Sequence, residues 1–317
     1  MDRLVTVFGG SGFVGRHIVR ALAKAGWRVR AAVRRPDLAG HLQPLGTVGQ
    51  ISAVQANLRY PDSVRQAVEG AHAVVNAVGI LFETGRQRFD AVHAEAAGTV
   101  AEAAAAVGAR MVHVSALGAD PNSASIYART KAVGEEKVRA AVPGAVILRP
   151  SIIFGPEDGF FNLFASIARI SPVLPLVGGG KTCFQPVYVG DVAKAALKGV
   201  EGTAAPGIYE LGGPEVKTFE ELLRMILDIT GRKRLLVPLP FPVAYLQALV
   251  MQYLPNPLLT PDQVTLLKSP NIVSHAAIQT GHTLEGLGIT PTALMSVLPS
   301  YLGRFRREGQ FSEPPPV

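Results

Sequence analysis

Three glycines near the start of the chain have the spacing of a loop that binds the phosphates of a nucleotide. Gly9, Gly12 and Gly15 follow the apolar run Leu4–Phe8 and lead into a stretch with helical periodicity. A strand that turns sharply into a helix leaves the first N–H groups of the helix unpaired, and such groups bind anions. Gly9 is expected to permit the turn, Gly12 the approach of a pyrophosphate, and Gly15 the packing of helix on strand. The predicted contacts in this loop are Gly9, Ser11, Gly12, Phe13, Val14 and Gly15.

Two arginines stand at the position that selects between the two nicotinamide dinucleotides. An NAD site usually places an acidic residue about 20 positions after the glycines, at the end of the second strand, to bind the ribose 2′-hydroxyl. This sequence has Arg34 and Arg35 there. A guanidinium binds a 2′-phosphate through charge-assisted hydrogen bonds, whereas a carboxylate repels it. We therefore predict NADP(H) rather than NAD(H); the alternative is that both arginines are solvated surface charges.

Residues that follow the third and fourth predicted strands are expected to line the same nucleotide site. Asn57 and Leu58 come directly after Ile51–Gln55 and are placed to meet the adenine. Ala77, Val78 and Gly79 end the next apolar run and are expected beside the pyrophosphate and the nicotinamide ribose. Both positions lie at the carboxyl ends of strands, where open α/β sheets bind their ligands.

The elements that position these residues alternate between strands and helices through the first half of the chain. This alternation is typical of βαβ units, and it predicts an α/β fold with a Rossmann-type, doubly wound parallel sheet. The alanine-rich run within the third helix predicts a buried helix packed closely on the sheet. The predicted strands are 4–8, 28–33, 51–55, 73–78, 111–114 and 145–148, and the predicted helices are 14–25, 62–68, 90–107 and 128–141.

After Pro150 the sequence changes to segments punctuated by proline and glycine. We predict an NADP-binding domain over 1–150, its sheet completed by parts of 151–215, a smaller substrate or docking lobe over 151–310, and a flexible tail over 311–317. Thr218 and Glu221 have the spacing of a capping box that opens the helix Phe219–Thr230. Asp191 is expected to cap a helix over 192–200.

The segment from Leu235 to Pro261 contains no charged residue, and its centre holds about three turns of apolar helix between prolines. One interpretation is a core helix of the smaller lobe, because short apolar helices usually pack inside. The other is a docking surface for a partner or a membrane.

Composition narrows the function classes. The net charge of +7 suits an anionic ligand, an acidic partner or an anionic membrane surface, but basic and aromatic residues are not interleaved as in nucleic-acid-binding proteins. The seven histidines and the single cysteine, Cys183, show no metal-ligand spacing, so no metal is expected. No apolar window reaches the roughly 18 residues of a membrane span, and the first strand leaves no room for a secretory signal. We expect a cytoplasmic protein.

Tyr127 and Lys131 form a YxxxK pair at the start of a predicted helix, after the fifth strand. Together with the glycine loop, this pair resembles the short-chain dehydrogenase/reductase superfamily in its extended or atypical branch. The resemblance implies that Tyr127 is a general acid/base and that Lys131 binds the nicotinamide ribose and lowers the tyrosine pKa from about 10. The stretches 148–156 and 184–195 are also similar to that branch, which implies that Pro150 and Ile153 approach the nicotinamide.

One branch is similar over nearly the whole chain: the nucleotide-binding accessory subunit of respiratory complex I and its bacterial relatives. The resemblance lies in long stretches, which are more specific than the glycines. It implies a tightly held NADPH with a structural role, peripheral-arm subunits of complex I as partners, and a location close to the cytoplasmic face of the inner membrane. The similar stretches are 127–139, 148–162, 258–274 and 287–306.

Whether such a site carries out catalysis depends on the residues after the fifth strand. Active members carry a serine or threonine there that polarises the substrate carbonyl, and this chain offers Ser115 followed by Ala116 and Leu117. If the reactive position is Leu117, a donor worth about 10²–10³ in rate is missing. If it is Ser115, the triad with Tyr127 and Lys131 is complete.

Three functions therefore stay open at the level of sequence. The first is an NADP(H)-binding accessory or assembly subunit of complex I. The second is a free-standing NADP-dependent reductase or epimerase acting on a sugar nucleotide or another carbonyl substrate. The third is a regulator that releases its partner when NADPH is oxidised. The charge-free segment favours the first, since a sugar-nucleotide lobe should supply basic and polar groups.

Overall fold

The computed structural model describes residues 3–307 and residue 309, so the tail predicted for 311–317 lies outside the described residues. The strands are β1 Leu4–Phe8, β2 Arg28–Val33, β3 Ile51–Gln55, β4 Ala73–Asn76, β5 Arg110–Val114, β6 Val146–Pro150, β7 Ile153–Phe154, β8 Val173–Val177, β9 Cys183–Phe184, β10 Val187–Tyr188, β11 Gly207–Leu211, β12 Lys217–Thr218 and β13 Leu235–Leu239. The helices are α1 Phe13–Lys24, α2 Pro61–Val68, α3 Ala96–Ala106, α4 Ile126–Ala141, α5 Phe161–Ile170, α6 Val189–Glu201, α7 Phe219–Thr230, α8 Phe241–Met251, α9 Pro261–Leu266, α10 His275–Gln279 and α11 Leu294–Leu302. Across the described residues, none of the helices combines the length and the hydrophobicity needed to span a bilayer.

The chain divides into two compact units, each built from several segments. The first consists of Met1–Pro150, Val189–Leu211 and Ser274–Thr290, and the second of Ser151–Tyr188, Gly212–Val273 and Pro291–Val317. The structure therefore differs from the predicted boundaries in one respect, because residues 274–290 return to the first unit. Their backbone pairs with it: the N–H of Ser274 donates to the Glu210 carboxylate, and the N–H of Glu210 donates to the His282 carbonyl.

A seven-stranded parallel sheet forms the centre of the first unit, in the order β11-β6-β5-β4-β1-β2-β3. Helices α1 and α6 pack together, and α2, α3 and α4 form a second packed group. The predicted doubly wound α/β fold is thus confirmed. The strand order reverses between β4 and β1, and such a switch point opens a ligand crevice at the carboxyl ends of the strands.

The alanine-rich helix α3 packs closely on the sheet, as predicted, because its buried face consists largely of alanines. The turn before it, Asp90–Glu95, is π-helical rather than α-helical. This turn lies against α4: a Cβ on Gly134 would come within 2.0 Å of the carbonyl oxygen of His93. Only glycine fits at this contact, which brings His93 close to the helix that carries Tyr127 and Lys131.

In the first unit, the cap predicted at Asp191 is wrong. Helix α6 begins at Val189, so Asp191 lies inside the first turn, where a carboxylate is favoured by the helix dipole. Its buried carboxylate accepts a hydrogen bond from Lys194 at 2.8 Å.

Helices α5, α7 and α11 enclose the main core of the second unit, where Phe161, Leu223 and Leu298 are buried. The capping box is confirmed, because Thr218 and Glu221 each accept a hydrogen bond from the other's backbone N–H.

The interpretation of the charge-free segment as a core helix is wrong. Helix α8 does span three turns, but Ala244 and Ala248 are its only buried residues. Its larger apolar side chains are exposed, as Leu246 at 66% and Val250 at 72% illustrate. A uniformly apolar sequence does not reveal which side of a helix stays uncovered.

Candidate nucleotide site

A groove of about 310 Å³ lies at the carboxyl ends of strands β1 to β4 in the first unit. Half of the predicted nucleotide contacts line it: Gly9, Ser11, Gly12, Arg34, Asn57, Leu58, Ala77, Val78 and Gly79. Sequence reasoning missed other lining residues, among them Arg59, Ile80, Arg86, Gln87 and Val92. Several of these belong to the connection between β4 and α3, which carried no recognisable motif.

The glycine loop requires glycine at two of its three predicted positions. Gly9 has a φ of +76°, which favours glycine, and a Cβ there would lie 3.1 Å from the backbone of Ala77. A Cβ on Gly15 would lie 2.0 Å from the carbonyl oxygen of Gly9, so this residue allows helix α1 to pack against the loop. Gly12 is the N-cap of α1, and no side chain caps that end of the helix. Phe13 and Val14 form the first turn, where the unpaired N–H groups of a helix lie.

The two arginines at the end of β2 have different surroundings. Arg34 lines the groove, whereas Arg35 does not and instead donates to both carboxylate oxygens of Asp37, with Nη2 2.7 Å from Oδ2. Arg59 also lines the groove, and its backbone N–H and Nε donate to the side-chain oxygen of Asn57. Arg34 and Arg59 are therefore two of the cations that line the groove, and Arg86 is another.

Helix α4 carries the YxxxK pair, and its start is fixed by Ser125, whose hydroxyl accepts from the N–H of Ala128. Tyr127 and Lys131 lie one turn apart on this helix, and the lysine Nζ is 5.9 Å from the centre of the tyrosine ring. Lys131 also lies beside the groove, since a Cβ on Gly79 would come within 3.4 Å of its Nζ. The structure thus brings the pair to the groove's edge at Gly79.

The ammonium group of Lys131 is buried, with 4% of the residue exposed. It donates to the carbonyl oxygen of Val114 at 3.2 Å. Burial lowers its pKa to about 8, and the negative charge of Glu135 opposes that shift. An ammonium has three N–H donors, so Lys131 can give further hydrogen bonds toward a ligand in the groove.

His93 completes the surroundings of the YxxxK pair and was missed by sequence reasoning. Its ring packs edge-on against Tyr127 at 5.1 Å and stacks on Phe89 at 5.4 Å. Its Nε2 accepts from the N–H of Ile80, and Nδ1 lies 3.4 Å from the hydroxyl of Thr130. Burial, and then the positive charge of Lys131, lower its pKa to about 2, so the ring is neutral and holds Tyr127 by packing.

Ser115 is directed to a buried acid. Its hydroxyl donates to the carboxylate of Glu135, which also accepts two hydrogen bonds from Arg149, at 2.8 and 2.6 Å. Leu117, the other possible reactive position, is 6% exposed and has an apolar side chain. In this structure, therefore, the hydroxyl proton of Ser115 is donated to Glu135, and Leu117 has no hydroxyl to offer.

The remaining predicted residues fall in both units. Pro150 ends β6 in the first unit, and the N–H of Leu117 donates to its carbonyl. Ile153 lies in β7 of the second unit, where it pairs with Val187. The described residues hold no cluster of three or more histidine, cysteine or acidic side chains that would suit a metal ion.

The groove fits a nicotinamide dinucleotide on structural grounds. Gly9 permits the turn before α1 and Gly15 lets that helix pack against the loop, the groove runs past the ends of four strands, and the ammonium of Lys131 lies beside its edge at Gly79. Bound there, a dinucleotide would be held by the loop N–H groups, by Arg34 and by the ammonium of Lys131. It would supply a hydride-transferring ring.

Comparison with known proteins identifies the family of the chain. The profile of the NAD-dependent epimerase/dehydratase family matches residues 5–212. A solved structure of the NADPH-dependent quinone oxidoreductase of Escherichia coli has the same fold, with a TM-score of 0.73 at 20% identity over 94% of this chain and 99% of that one.

Two relatives have a higher sequence identity to this chain than the solved structure does. The Arabidopsis thaliana mitochondrial protein named NADH dehydrogenase [ubiquinone] 1 alpha subcomplex subunit 9 is 35% identical over 96% of this chain and 79% of its own length. The ceramide reductase of Caulobacter vibrioides is 36% identical over 75% of this chain and 74% of its own length. The glycine loop, the Tyr127–Lys131 pair and these matches place the chain in the NAD-dependent epimerase/dehydratase family.

Proposed function

We propose that this protein is an NADP(H)-binding accessory or assembly subunit of respiratory complex I, in which the nucleotide has a structural role. The observation that carries the proposal is the similarity to the Arabidopsis complex I protein, which extends through 96% of the chain. The similarity therefore includes the second unit. Nucleotide binding in the groove of the first unit would not by itself explain sequence similarity there. Its partners would be subunits of the peripheral arm, at the cytoplasmic face of the membrane.

The surroundings of Ser115 support a structural role for the nucleotide. A reductase or epimerase of this fold uses a hydroxyl group to polarise the substrate carbonyl, and here that proton is given to Glu135. A nucleotide that binds the folded protein and not the unfolded chain stabilises the fold even when no reaction follows. Such a subunit needs Arg34, the glycine loop and Lys131, but no substrate.

NADP(H) rather than NAD(H) is the proposed ligand. Arg34 lines the groove where a 2′-phosphate would lie, and within the described residues its guanidinium forms no ion pair. The nearby carboxylate of Asp37 is bound by Arg35, which reduces its repulsion of a phosphate. Arg59 and Arg86 add further cations on the same groove.

The proposal is tested by affinity purification from solubilised membranes of cells that express the tagged, full-length protein. We expect respiratory complex subunits to be recovered with it, together with bound NADPH. The matched variant Tyr127→Phe should recover the same subunits, because it removes only a hydroxyl that a structural role does not use. Absence of respiratory subunits from both preparations would overturn the proposal.

A second candidate is an NADPH-dependent reductase acting on a carbonyl group of a ceramide-type lipid. It is favoured by the intact pair of Tyr127 and the buried Lys131, and by the 36% identity to the Caulobacter ceramide reductase. The Tyr127 hydroxyl would give its proton to the carbonyl oxygen, and the ammonium of Lys131 would hold the ribose and favour the tyrosinate that remains. The bound nicotinamide would supply the hydride.

If the protein is such a reductase, it should oxidise NADPH only when the lipid ketone is present. Tyr127→Phe should then abolish consumption while leaving NADPH affinity unchanged, because the ring and its packing against His93 are kept. If no NADPH is consumed with ceramide-type ketones or with sugar nucleotides, both enzymatic alternatives fail and the structural role is left standing.

A further inference from the structure

Strand β13 and the segment around helix α8 expose a long series of apolar side chains in the second unit. Tyr253 is 85% exposed and Leu235 is 68% exposed, values normally found for polar residues. We call this series the apolar strip. Its members are Leu235, Val237, Val243, Tyr245, Leu246, Leu249, Val250, Tyr253, Leu254 and Leu258.

The apolar strip belongs to a well-anchored part of the unit. Ala244 and Ala248 of α8 are fully buried and form a small core with Val177 and Val264. At the start of the helix, the ring of Phe241 lies where a Cβ on Gly178 would come within 2.2 Å of it. The helix is therefore fixed through its small residues while its large side chains point to solvent.

Charged groups, which hydrate a protein surface most strongly, are missing from this segment of the sequence. From Leu235 to Pro261 there is no charged residue. Monomeric soluble proteins rarely expose continuous apolar patches of this kind, and those that do usually bind a partner or a membrane there. The strip also carries Tyr245 and Tyr253, and tyrosine is enriched where proteins meet the interface of a bilayer.

A basic cluster lies at the end of the strip that begins with Leu235. Arg232 donates to the carbonyl of Phe305 at 2.8 Å, and Arg234 donates to the carbonyl of Ala168 at 2.7 Å. These two bonds place the arginines near Arg169, which is in α5, and near Arg307, which follows α11. The members of the basic cluster are Arg169, Arg232, Arg234 and Arg307.

The guanidinium groups of the basic cluster lie close enough for three of them to act on the charge of Arg232. Burial, and then the positive charges of Arg234, Arg169 and Arg307, lower the pKa of Arg232. Within the described residues, none of the four forms an ion pair with a carboxylate. In the sequence, Asp228 lies one turn before Arg232 on α7, and Glu308 directly follows Arg307. The cluster therefore presents a net positive charge suited to phosphate groups.

We propose that the apolar strip and the basic cluster together dock onto the surface of a bilayer that contains anionic lipids. The side chains of α8 would enter the boundary between headgroups and acyl chains, and the arginines would meet lipid phosphates. A bilayer fits better than a protein partner, because protein interfaces combine an apolar centre with hydrogen-bonding groups and a polar rim. The strip consists mainly of apolar side chains together with tyrosines, which bilayer interfaces favour, and within the described residues the arginines beside it form no ion pair that would fix the orientation of a protein partner.

This inference rests on the proposed function only for the identity of the membrane, so it can be tested on the protein alone. Purified full-length protein is sedimented with vesicles of phosphatidylcholine, with or without about 30% phosphatidylglycerol, at low and high salt. We expect binding to the anionic vesicles that weakens with salt. Leu246→Ser combined with Val250→Ser should weaken binding to both vesicle types roughly tenfold or more.

The matched control removes two exposed apolar side chains elsewhere, through Leu38→Ser with Ile278→Ser, which are 66% and 57% exposed. It should leave vesicle binding unchanged. Arg169→Gln with Arg307→Gln should weaken binding to anionic vesicles roughly tenfold or more, while binding to neutral vesicles stays the same.

Three outcomes would overturn the proposal: no binding of the wild-type protein to either vesicle, equal loss in strip and control variants, or no effect of the strip variant. The wild type could fail to bind vesicles and still co-purify with respiratory subunits, with that co-purification lost in the Leu246→Ser and Val250→Ser variant. In that case the apolar strip binds protein instead, and the proposed function stands. If vesicles bind as expected but respiratory subunits are never recovered, the membrane inference stands and the proposed function fails.

Discussion

The hydroxyl group of Ser115 donates a hydrogen bond to the carboxylate of Glu135, and both side chains are buried. The same carboxylate accepts two hydrogen bonds from Arg149, so this acid is shared between a guanidinium on β6 and a hydroxyl at the end of β5. A charge held in this way is stable inside a protein only while its partners are present. Ser115 therefore completes a structural network that joins α4 to the sheet.

Removal of this hydroxyl should reduce stability and leave nucleotide binding intact. Ser115→Ala takes one donor from a buried charged acceptor, which typically costs about 1–3 kcal/mol in the free energy of unfolding. The change is measured by urea denaturation beside NADPH titration. Ser300→Ala, which removes a hydroxyl bonded only to a carbonyl of its own helix, should stay within about 0.5 kcal/mol of wild type. A Ser115→Ala variant of normal stability that had lost carbonyl reduction would contradict this assignment.

Of the two adjacent arginines at the end of β2, only Arg34 should affect the preference for NADPH over NADH. Arg34→Ala should weaken NADPH roughly 10- to 100-fold, because a charge-assisted contact to the 2′-phosphate is lost, and should leave NADH nearly unchanged. Arg35→Ala is the matched control. It removes the same charge one residue away, but from a side chain already bound to Asp37. Isothermal titration calorimetry with NADPH and with NADH gives, for each variant, the ratio of the two dissociation constants.

Arg59→Ala tests whether another cation of the groove shares this contact with the 2′-phosphate. We expect a smaller loss of NADPH affinity than for Arg34→Ala, because the Arg59 guanidinium is partly held by Asn57. Equal losses of NADPH and NADH in the Arg34 variant would exclude a role in binding the 2′-phosphate. A larger effect at Arg35 than at Arg34 would mean that the Asp37 pair opens when the coenzyme binds.

The glycine loop should not tolerate a single added methyl group at Gly15. Gly15→Ala places a Cβ 2.0 Å from the carbonyl oxygen of Gly9, so helix and loop must move apart. Overpacking of this kind usually costs about 1–3 kcal/mol, and the displaced loop should also lose most of its NADPH affinity. Gly144→Ala is the control, since an added Cβ there meets no atom within 4 Å. Normal coenzyme binding by Gly15→Ala would show that the loop is not the phosphate site.

Much of the first unit could be predicted because its signals are local. Leu4–Phe8 and Arg28–Val33 are strands at the predicted bounds, since apolar runs and their flanking turns lie within a few residues of each other. The predicted strand 73–78 ends earlier, at Asn76, whose side-chain oxygen accepts from the N–H of Val78 and turns the chain into the groove. The glycine roles followed from the same local logic.

The error at Asp191 is a local one, a helix start misplaced by a few residues, but the other errors and omissions depend on contacts between residues far apart in the sequence or on which surfaces stay uncovered. Ser115 and Glu135 are 20 residues apart, so their bond leaves no local pattern. His93 sits in an alanine-rich run, and its partners Ile80 and Thr130 come from two other segments. The exposure of α8 depends on what else covers it, which an apolar sequence does not encode.

Lys131 links pH, stability and coenzyme binding in one side chain. Burial lowers its pKa to about 8 in the folded protein, against 10.5 as its ordinary value. Between these two pH values the unfolded chain binds one more proton than the folded protein, so stability rises with pH through this window. Below pH 8 the buried ammonium costs the folded state about 3 kcal/mol.

Lys131→Met should therefore make the protein more stable at pH 7, by up to about 3 kcal/mol, because it removes a buried charge while keeping the side-chain length. The gain should shrink as the pH rises from about 8 and should vanish near pH 10.5. The same substitution should weaken NADPH, because the ammonium beside Gly79 no longer donates to the ribose. Urea denaturation at several pH values and coenzyme titration measure the two effects, with the exposed Lys24→Met as control. If the free energies of unfolding of wild type and Lys131→Met changed in parallel with pH, Lys131 would not carry a buried charge with a lowered pKa. If the NADPH affinity were unchanged, Lys131 would not contact the coenzyme.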